Sequence, residues 1–377
     1  MKLQHSFLAI LILALTFISG SASAKDDLGS AAPPALCLPG IYLDGNPTDC
    51  TLLGPAGYLT HIAWMEAEIA SQPERFTPID ASYGESNLTY LKVNEDDPRN
   101  IYSSLDAAIE GGKQSSTLSE GFAYVSYVRQ VTNGGKTFYE LSDGSWIRGG
   151  AVSGYGKPNQ FRGVLVQGTP PRTFGWVLND IETRSIPGYY NNTGTDHILE
   201  RHTIIEVFEV EKIGKSNWYM VAPGEWLYQT EVALIYPTST PPEGVRNRRW
   251  IEINLHEQTV AVYDKGEMVF GTLVTTGSSR TFTRPGLWSI YEKLIITGMA
   301  GGDKEKEDYY NLKDVPWVMY FDERRALHAE YWHDHLGYRS SHGCVNLSFP
   351  DAEWMYTWAD FGDWVYVWDP SGQTPGE

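Results

Sequence analysis

Cysteine is scarce in this sequence: three residues in 377, at Cys37, Cys50 and Cys344. That count rules out a disulfide-dense scaffold, and no Cys-x-x-Cys or His-Glu-x-x-His spacing offers a zinc motif. Positive charge is also in deficit. Lys and Arg total 29 against 47 Asp and Glu, a formal charge of −18, which repels phosphate backbones and anionic lipid, so nucleic acid is excluded as a partner. Long apolar runs are missing too. The longest, Phe7 to Ile18, is too short to cross a bilayer comfortably.

That run sits between a Met-Lys-Leu-Gln-His start and Ser-Gly-Ser-Ala-Ser-Ala ending at Ala24, the parts of a cleavable export signal. The expected location is extracytoplasmic: secreted, in the cell wall or in the periplasm. An uncleaved anchor is the alternative and the one route to a membrane. No cysteine follows the cleavage point to carry a lipid. Outside a reducing compartment Cys37 and Cys50 can close a small loop worth ~3 kcal/mol. Cys344 is then left unpaired, and its surroundings decide whether it is an inert hydrophobe or a nucleophile.

What the chain has in plenty is Gly (37), Pro (21), Tyr (23) and Trp (13), the composition of short strands, many turns and aromatic cores. A mainly β protein of two or more folding units is expected. Its parts read as a signal peptide over 1–24, a leader and partly helical region over 25–120 and a first small β module over 121–160. A second module over 161–237, a linker over 238–248, a C-terminal domain over 249–368 and a tail over 369–377 complete it. Leu59, Ile62, Glu66 and Ile69 give Tyr58 to Ser71 a helical period.

An internal repeat appears at a shift of 80 residues. Gly134, Phe138, Tyr139, Leu141, Gly144, Trp146, Ile147 and Val152 fall on Gly214, Trp218, Tyr219, Val221, Gly224, Trp226, Leu227 and Val232. Each copy reads as a strand, a Gly turn and a Trp-bearing strand, which suits a small aromatic-cored barrel. The units resemble bacterial Src-homology-3-like modules. Their aromatics serve either as core or as a platform for cell-wall polymer, and core is the better expectation, because Trp and Tyr are more often buried than displayed.

In the C-terminal domain, Trp250 to Tyr263 alternates as two strands about a turn, and Met268 to Thr275 supplies a third. The decisive segment follows: His328 after an apolar strand, then Ser341-His342-Gly343-Cys344-Val345-Asn346. A thiol attacks a carbonyl as thiolate, and a nearby imidazole can take its proton, giving an ion pair nucleophilic near neutral pH. Gly343 lets the backbone bring Cys344 close to a bound carbonyl, and amides around Gly343 and Cys344 are candidates for an oxyanion site. His333 and His335, with Asp334, read as solvated loop residues.

These residues resemble the L,D-transpeptidase (YkuD-like) catalytic domain, whose pattern is a histidine, a gap, then Ser/Thr-His-Gly-Cys-apolar-Asn/Arg. Further likeness lies in Thr275-Thr276-Gly277, Thr283 to Gly286, Asp351-Ala352 and Gly362 to Val365, so the resemblance spans about Trp250 to Trp368. It implies a β-sandwich with a short helix after the catalytic loop. Cys344 would be the nucleophile and His328 proton acceptor and then donor, with the Ala329 carbonyl orienting the imidazole. Ser341, His342 and Asn346 would shape the loop, while Tyr310 and Trp332 would line the donor site.

The implied reaction is acyl transfer between peptidoglycan stem peptides through a Cys344 thioester, with no cofactor and no metal, inhibited by carbapenems. Water as acceptor would make the enzyme an L,D-carboxypeptidase. Rivals from other classes are a catalytically idle wall-binding protein and a zinc peptidase built on the histidines. One departure is Thr283-Arg284-Pro285-Gly286, where many members carry Thr-Pro before one residue and Gly.

Overall fold

The computed structural model describes residues 35–36, 50–51, 76–94, 99–119, 121–278, 281–303, 305 and 308–375. The chain divides into two units, Met1–Gly54 and Pro55–Glu377. In the first, Ala35–Leu36 pairs in parallel with Cys50–Thr51. The signal segment 1–24, Cys37, the side chain of Cys50 and the helix expected over Tyr58 to Ser71 lie outside the described residues.

The second unit is strand-dominated. Its seven-stranded sheet runs Gly286–Ser289, Trp364–Trp368, Trp250–Asn254, Thr259–Asp264, Glu267–Leu273, Val164–Leu165 and Thr77–Pro78. Turn chemistry fixes its hairpins. Asn254 Oδ1 accepts the amides of His256 (3.0 Å) and Glu257 (3.1 Å) at the first turn. Lys265 and Gly266 both take positive φ, 55° and 83°, at the second, the backbone that a two-residue hairpin needs.

The facing sheet has eleven strands. It carries the Val345–Leu347, Arg325–Ala329 and Tyr310–Asp322 strands, and continues into Phe122–Asn133, Lys136–Leu141 and Trp146–Arg148. Between the two sheets lies one apolar core, with Ile251, Val260, Phe270 and Val365 from the first and Val318, Met319, Leu327 and Val345 from the second. The helix Phe349–Trp358 adds Phe349, Ala352 and Met355 to it. That helix begins where Ser348 caps the Asp351 amide (3.2 Å) and Pro350 occupies the first turn.

The strand Phe122–Asn133 belongs to two cores at once. Phe122 and Tyr124 face the sandwich core, while Ala123 and Val125 face a separate cluster with Leu91, Tyr139 and Ile147.

The barrel-like modules expected at 121–160 and 161–237 are corrected here: both regions form open sheets. Closure of the first is prevented by distant pairings of Phe122–Asn133, in parallel with Tyr310–Leu312 and antiparallel with Thr89–Lys92. In the second, Val164–Leu165 joins the seven-stranded sheet, and the remainder forms a three-stranded and a five-stranded sheet sharing Val177, Ile205, Tyr219, Leu227 and Leu234.

The 80-residue repeat is a repeated hairpin in matching register. Tyr139 opposes Ile147 and Tyr219 opposes Leu227, with Phe138, Trp146, Trp218 and Trp226 also buried. These repeat aromatics are therefore core.

Candidate active site

His328 and Cys344 are brought together by sheet pairing. The strands Arg325–Ala329 and Val345–Leu347 run parallel with His328 opposite Asn346, so a motif separated by a long loop converges at one end of the sheet. Asn346 is held on its other side by Thr275, through a pair of backbone hydrogen bonds of 2.8 and 3.0 Å.

Both residues line a cleft of about 450 Å³, together with Tyr310, Trp332, Ser341, His342, Asn346 and Phe122. The Trp332 ring lies 5.8 Å from the His328 ring, and Tyr310 packs against His342 at 4.9 Å. Tyr310 is half-buried, and its phenol is held well above the usual tyrosine range by burial and by the nearby Cys344 sulfur.

His328 is buried. Its Nδ1–H donates to the Ala329 carbonyl at 2.8 Å, which fixes the tautomer and leaves Nε2 as the accepting nitrogen. Burial pulls its pKa down to about 4, only partly opposed by that carbonyl. The Cys344 thiol is pushed up by burial, against the Ala326 backbone and the Arg325 charge, which favour thiolate. Its Sγ–H points to the Arg324 carbonyl at 3.8 Å. Among the described residues no hydrogen bond joins Sγ to His328. The resting pair is thus neutral thiol and neutral imidazole, where the sequence suggests an ion pair: desolvation disfavours both charges.

The loop between them is held by its own hydroxyls. Ser341 Oγ donates to the Cys344 carbonyl (2.5 Å) and accepts the Gly343 amide (3.1 Å). The Gly343 N–H, expected as an oxyanion donor, is therefore already engaged. Gly343 adopts φ 115°, and a Cβ there would lie 3.2 Å from Arg325 Nε. Thr283, buried, donates to the Gly343 carbonyl (2.9 Å) and accepts the Gly277 amide (3.0 Å), tying three loops together. His342 is exposed on this loop.

Several functional neighbours escape a reading of the sequence. His335 is exposed as expected, but His333 is not a solvated residue. Only 12% of its side chain is accessible; its Nε2 lies 3.1 Å from Asn346 Nδ2 and its Nδ1 3.5 Å from Glu330 Oε2. Glu330 is fully buried and its carboxyl is pushed up to about 8 by desolvation, so it is protonated near neutrality. Among the described residues, Asn346 Oδ1 is buried without a hydrogen-bond partner. The polar run Trp-His-Asp-His carries no sign of that burial, because long-range packing imposes it.

Asp322, also buried, clamps Arg284 and Arg325 and thereby holds Arg325 beside the catalytic loop. Arg284, the residue that departs from the family pattern, stacks over Trp288 at 4.9 Å. Among the described residues no group of three or more His, Cys, Asp or Glu is arranged to hold a metal ion, and no helix is long and apolar enough to cross a membrane.

The family model of the L,D-transpeptidase catalytic domain (YkuD) matches residues 248–367, the segment that carries His328 and Cys344. That match covers about a third of the chain.

Relatives of the L,D-transpeptidase domain are distant. YciB of Bacillus subtilis (strain 168) is 21% identical over 174 residues, 42% of this chain and 79% of its own length. The solved L,D-transpeptidase (Yku) of Stackebrandtia nassauensis is 30% identical, covering 35% of this chain and 60% of that one, with a TM-score of 0.27. This chain therefore spans less than two thirds of that structure. The catalytic domain of the E. faecium L,D-transpeptidase is 22% identical, covering 33% of this chain and all of that one, with a TM-score of 0.30.

Proposed function

We propose that this protein is an exported peptidoglycan L,D-transpeptidase that forms a thioester on Cys344. The observation carrying this reading is the His328 ring, locked by the Ala329 carbonyl so that Nε2 is left as a base, in one cleft with an otherwise unpaired thiol. Export rests on the N-terminal Lys, the apolar run and the small residues up to Ala24.

In the first half-reaction the sulfur attacks the carbonyl of the diaminopimelate L-centre as its proton passes to His328 Nε2. The C–S bond forms, the C–N bond breaks, and His328 returns the proton to the departing D-alanine amine. In the second, an amine of another stem attacks the thioester, His328 takes its proton, and the sulfur leaves and is reprotonated. Because both partners rest neutral, proton transfer accompanies attack and no standing thiolate is needed. With the Gly343 amide engaged by Ser341, the Cys344 amide is our candidate donor to the developing oxyanion.

Mass spectrometry with a carbapenem is expected to show one covalent adduct, absent in Cys344→Ala; an adduct persisting in that variant overturns the nucleophile. Incubation with defined tetrapeptide stems then separates the acceptors. Cross-linked dimers support transpeptidation, and trimmed monomers without dimers identify a carboxypeptidase. No change in muropeptides, with the full chain bound to sacculi, returns the protein to the wall-binding class.

A further inference from the structure

The cleft is not built by the L,D-transpeptidase segment alone. Phe122, 126 residues before the start of the family match at 248, also lines it. Its position is set by backbone pairing and not by a mobile loop. The Phe122 amide donates to the Tyr309 carbonyl at 3.0 Å, and Phe122 to Tyr124 run in parallel register with Tyr310 to Leu312. At Gly121, a Cβ would stand 2.2 Å from the Tyr309 carbonyl, so a residue without one is required for that approach.

The turn entering this strand is fastened by Arg99. Its guanidinium is buried and donates to the carbonyls of Asn94 (2.8 Å), Ser119 (2.5 Å) and Gly121 (2.8 Å). Lys92 Nζ over the Phe122 ring at 5.6 Å and Tyr124 against it at 5.2 Å hold the ring itself. A half-buried phenylalanine fixed this firmly on the wall of an open cleft is preorganised to receive an apolar part of a ligand.

The same region also grips the His328 side of the site. Tyr331 stacks on Tyr90 (3.7 Å, 11°) and meets Tyr124 at 5.7 Å, and its carbonyl accepts the Lys157 amide at 2.8 Å. Tyr331 in turn packs edge-on against Trp332 at 4.9 Å. Phe122 and Trp332 are thus both placed by residues 76–160.

We propose that Phe122 is a specificity-determining residue of the cleft. It contacts the stem peptide beyond the reacting carbonyl, so that a strand outside the family domain selects the donor. This rests on the function proposed above for Cys344 and His328. The part of the ligand it takes is the apolar portion of the stem, the alanyl methyls and the methylenes of diaminopimelate, for which an aromatic ring gives apolar contact without a charge preference.

The test is stem-peptide binding by the full chain carrying Cys344→Ala, which cannot turn over, with and without Phe122→Ala and Phe122→Leu. Phe122→Ala is expected to weaken the Kd for a tetrapeptide stem about tenfold, the loss of one good apolar contact. Phe122→Leu should recover most of it. In chains that keep Cys344, the rate of alkylation by iodoacetamide should match between Phe122 and Phe122→Ala, because that reagent is too small to need the wall.

An unchanged Kd overturns the proposal. So does a Phe122→Ala chain whose alkylation rate shifts together with its Kd, since Phe122 would then act through folding alone. Stem binding by the Cys344→Ala chain, without turnover or carbapenem adduct in the wild type, overturns the catalytic reading and leaves Phe122 to be decided by its own Kd. Absence of stem binding in the Cys344→Ala parent overturns both.

Discussion

At the scale of single residues, the chemistry turns on which protonation states burial allows. Cys344 and His328 both sit where desolvation disfavours charge, with the imidazole at about 4 and the thiol above its ordinary range. The alkylation rate of Cys344 should therefore be low at neutral pH and still be rising beyond pH ~9, close to the ordinary thiol value. A plateau already reached by pH ~7 would mean a standing thiolate–imidazolium pair and sink this account. The motif residues were legible because their chemistry is local: a thiol enclosed by His and Gly is unusual wherever it occurs. His333 and Glu330 were not, since nothing in Glu-Tyr-Trp-His-Asp-His reveals that two of its polar members turn inward.

Among the elements, the catalytic loop is a guest of its neighbours. Thr283 Oγ1 bridges the Gly277 amide and the Gly343 carbonyl in a buried setting. Thr283→Val keeps the shape and removes both bonds, leaving a donor and an acceptor unsatisfied at a cost of about 1–3 kcal/mol each. Thermal unfolding should show that loss, and acylation by a carbapenem should slow by up to about a hundredfold as Cys344 drifts from its place. Unchanged acylation would show that the loop holds itself. Hairpins were the most legible elements, including both copies of the repeat, because glycine turns and alternating aromatics act over a few residues. Barrel closure is not legible, for the opposite reason. Whether Phe122–Asn133 curls onto its own neighbours or joins Tyr310–Leu312 is settled by partners far along the chain, which no local pattern reports.

For the molecule as a whole, the family segment is not a free-standing body. Ile79, Tyr90 and Tyr124 belong to the sandwich core, and Val164–Leu165 extends its seven-stranded sheet. A fragment beginning at residue 248 should expose Tyr331 and two bare sheet edges, bind a hydrophobic dye and lose its cooperative melt, whereas residues 76–377 should keep it. A cooperative transition in the short fragment would contradict the shared core.

Stability should also depend on pH in a definite way. His328, His333 and His202 are each held at about 4 in the fold. Unfolding lets them bind protons below about 6.5, so they cost stability as pH falls from there to 4. Glu330, held at about 8, and Glu252 and Asp351, each at about 7, keep protons that the unfolded chain releases above about 4.5. Their contribution is lost as pH rises through 7 and 8. The two sets oppose one another between about 4.5 and 6.5, and above that window the acids act alone. The melting temperature should thus fall from about pH 6.5 to 8, and Glu330→Gln should flatten that limb. A rise over the same interval would show that these carboxyls ionise within the fold.

The hydrogen bond from the Cys344 thiol to the Arg324 carbonyl has a consequence for how the protein ages. Peroxide and stray disulfides react with sulfur anions far faster than with protonated sulfur. A side chain kept in its hydrogen-bearing form until a ligand arrives is a poor target for both, so its reactive atom survives in air that would spoil a permanently ionised one.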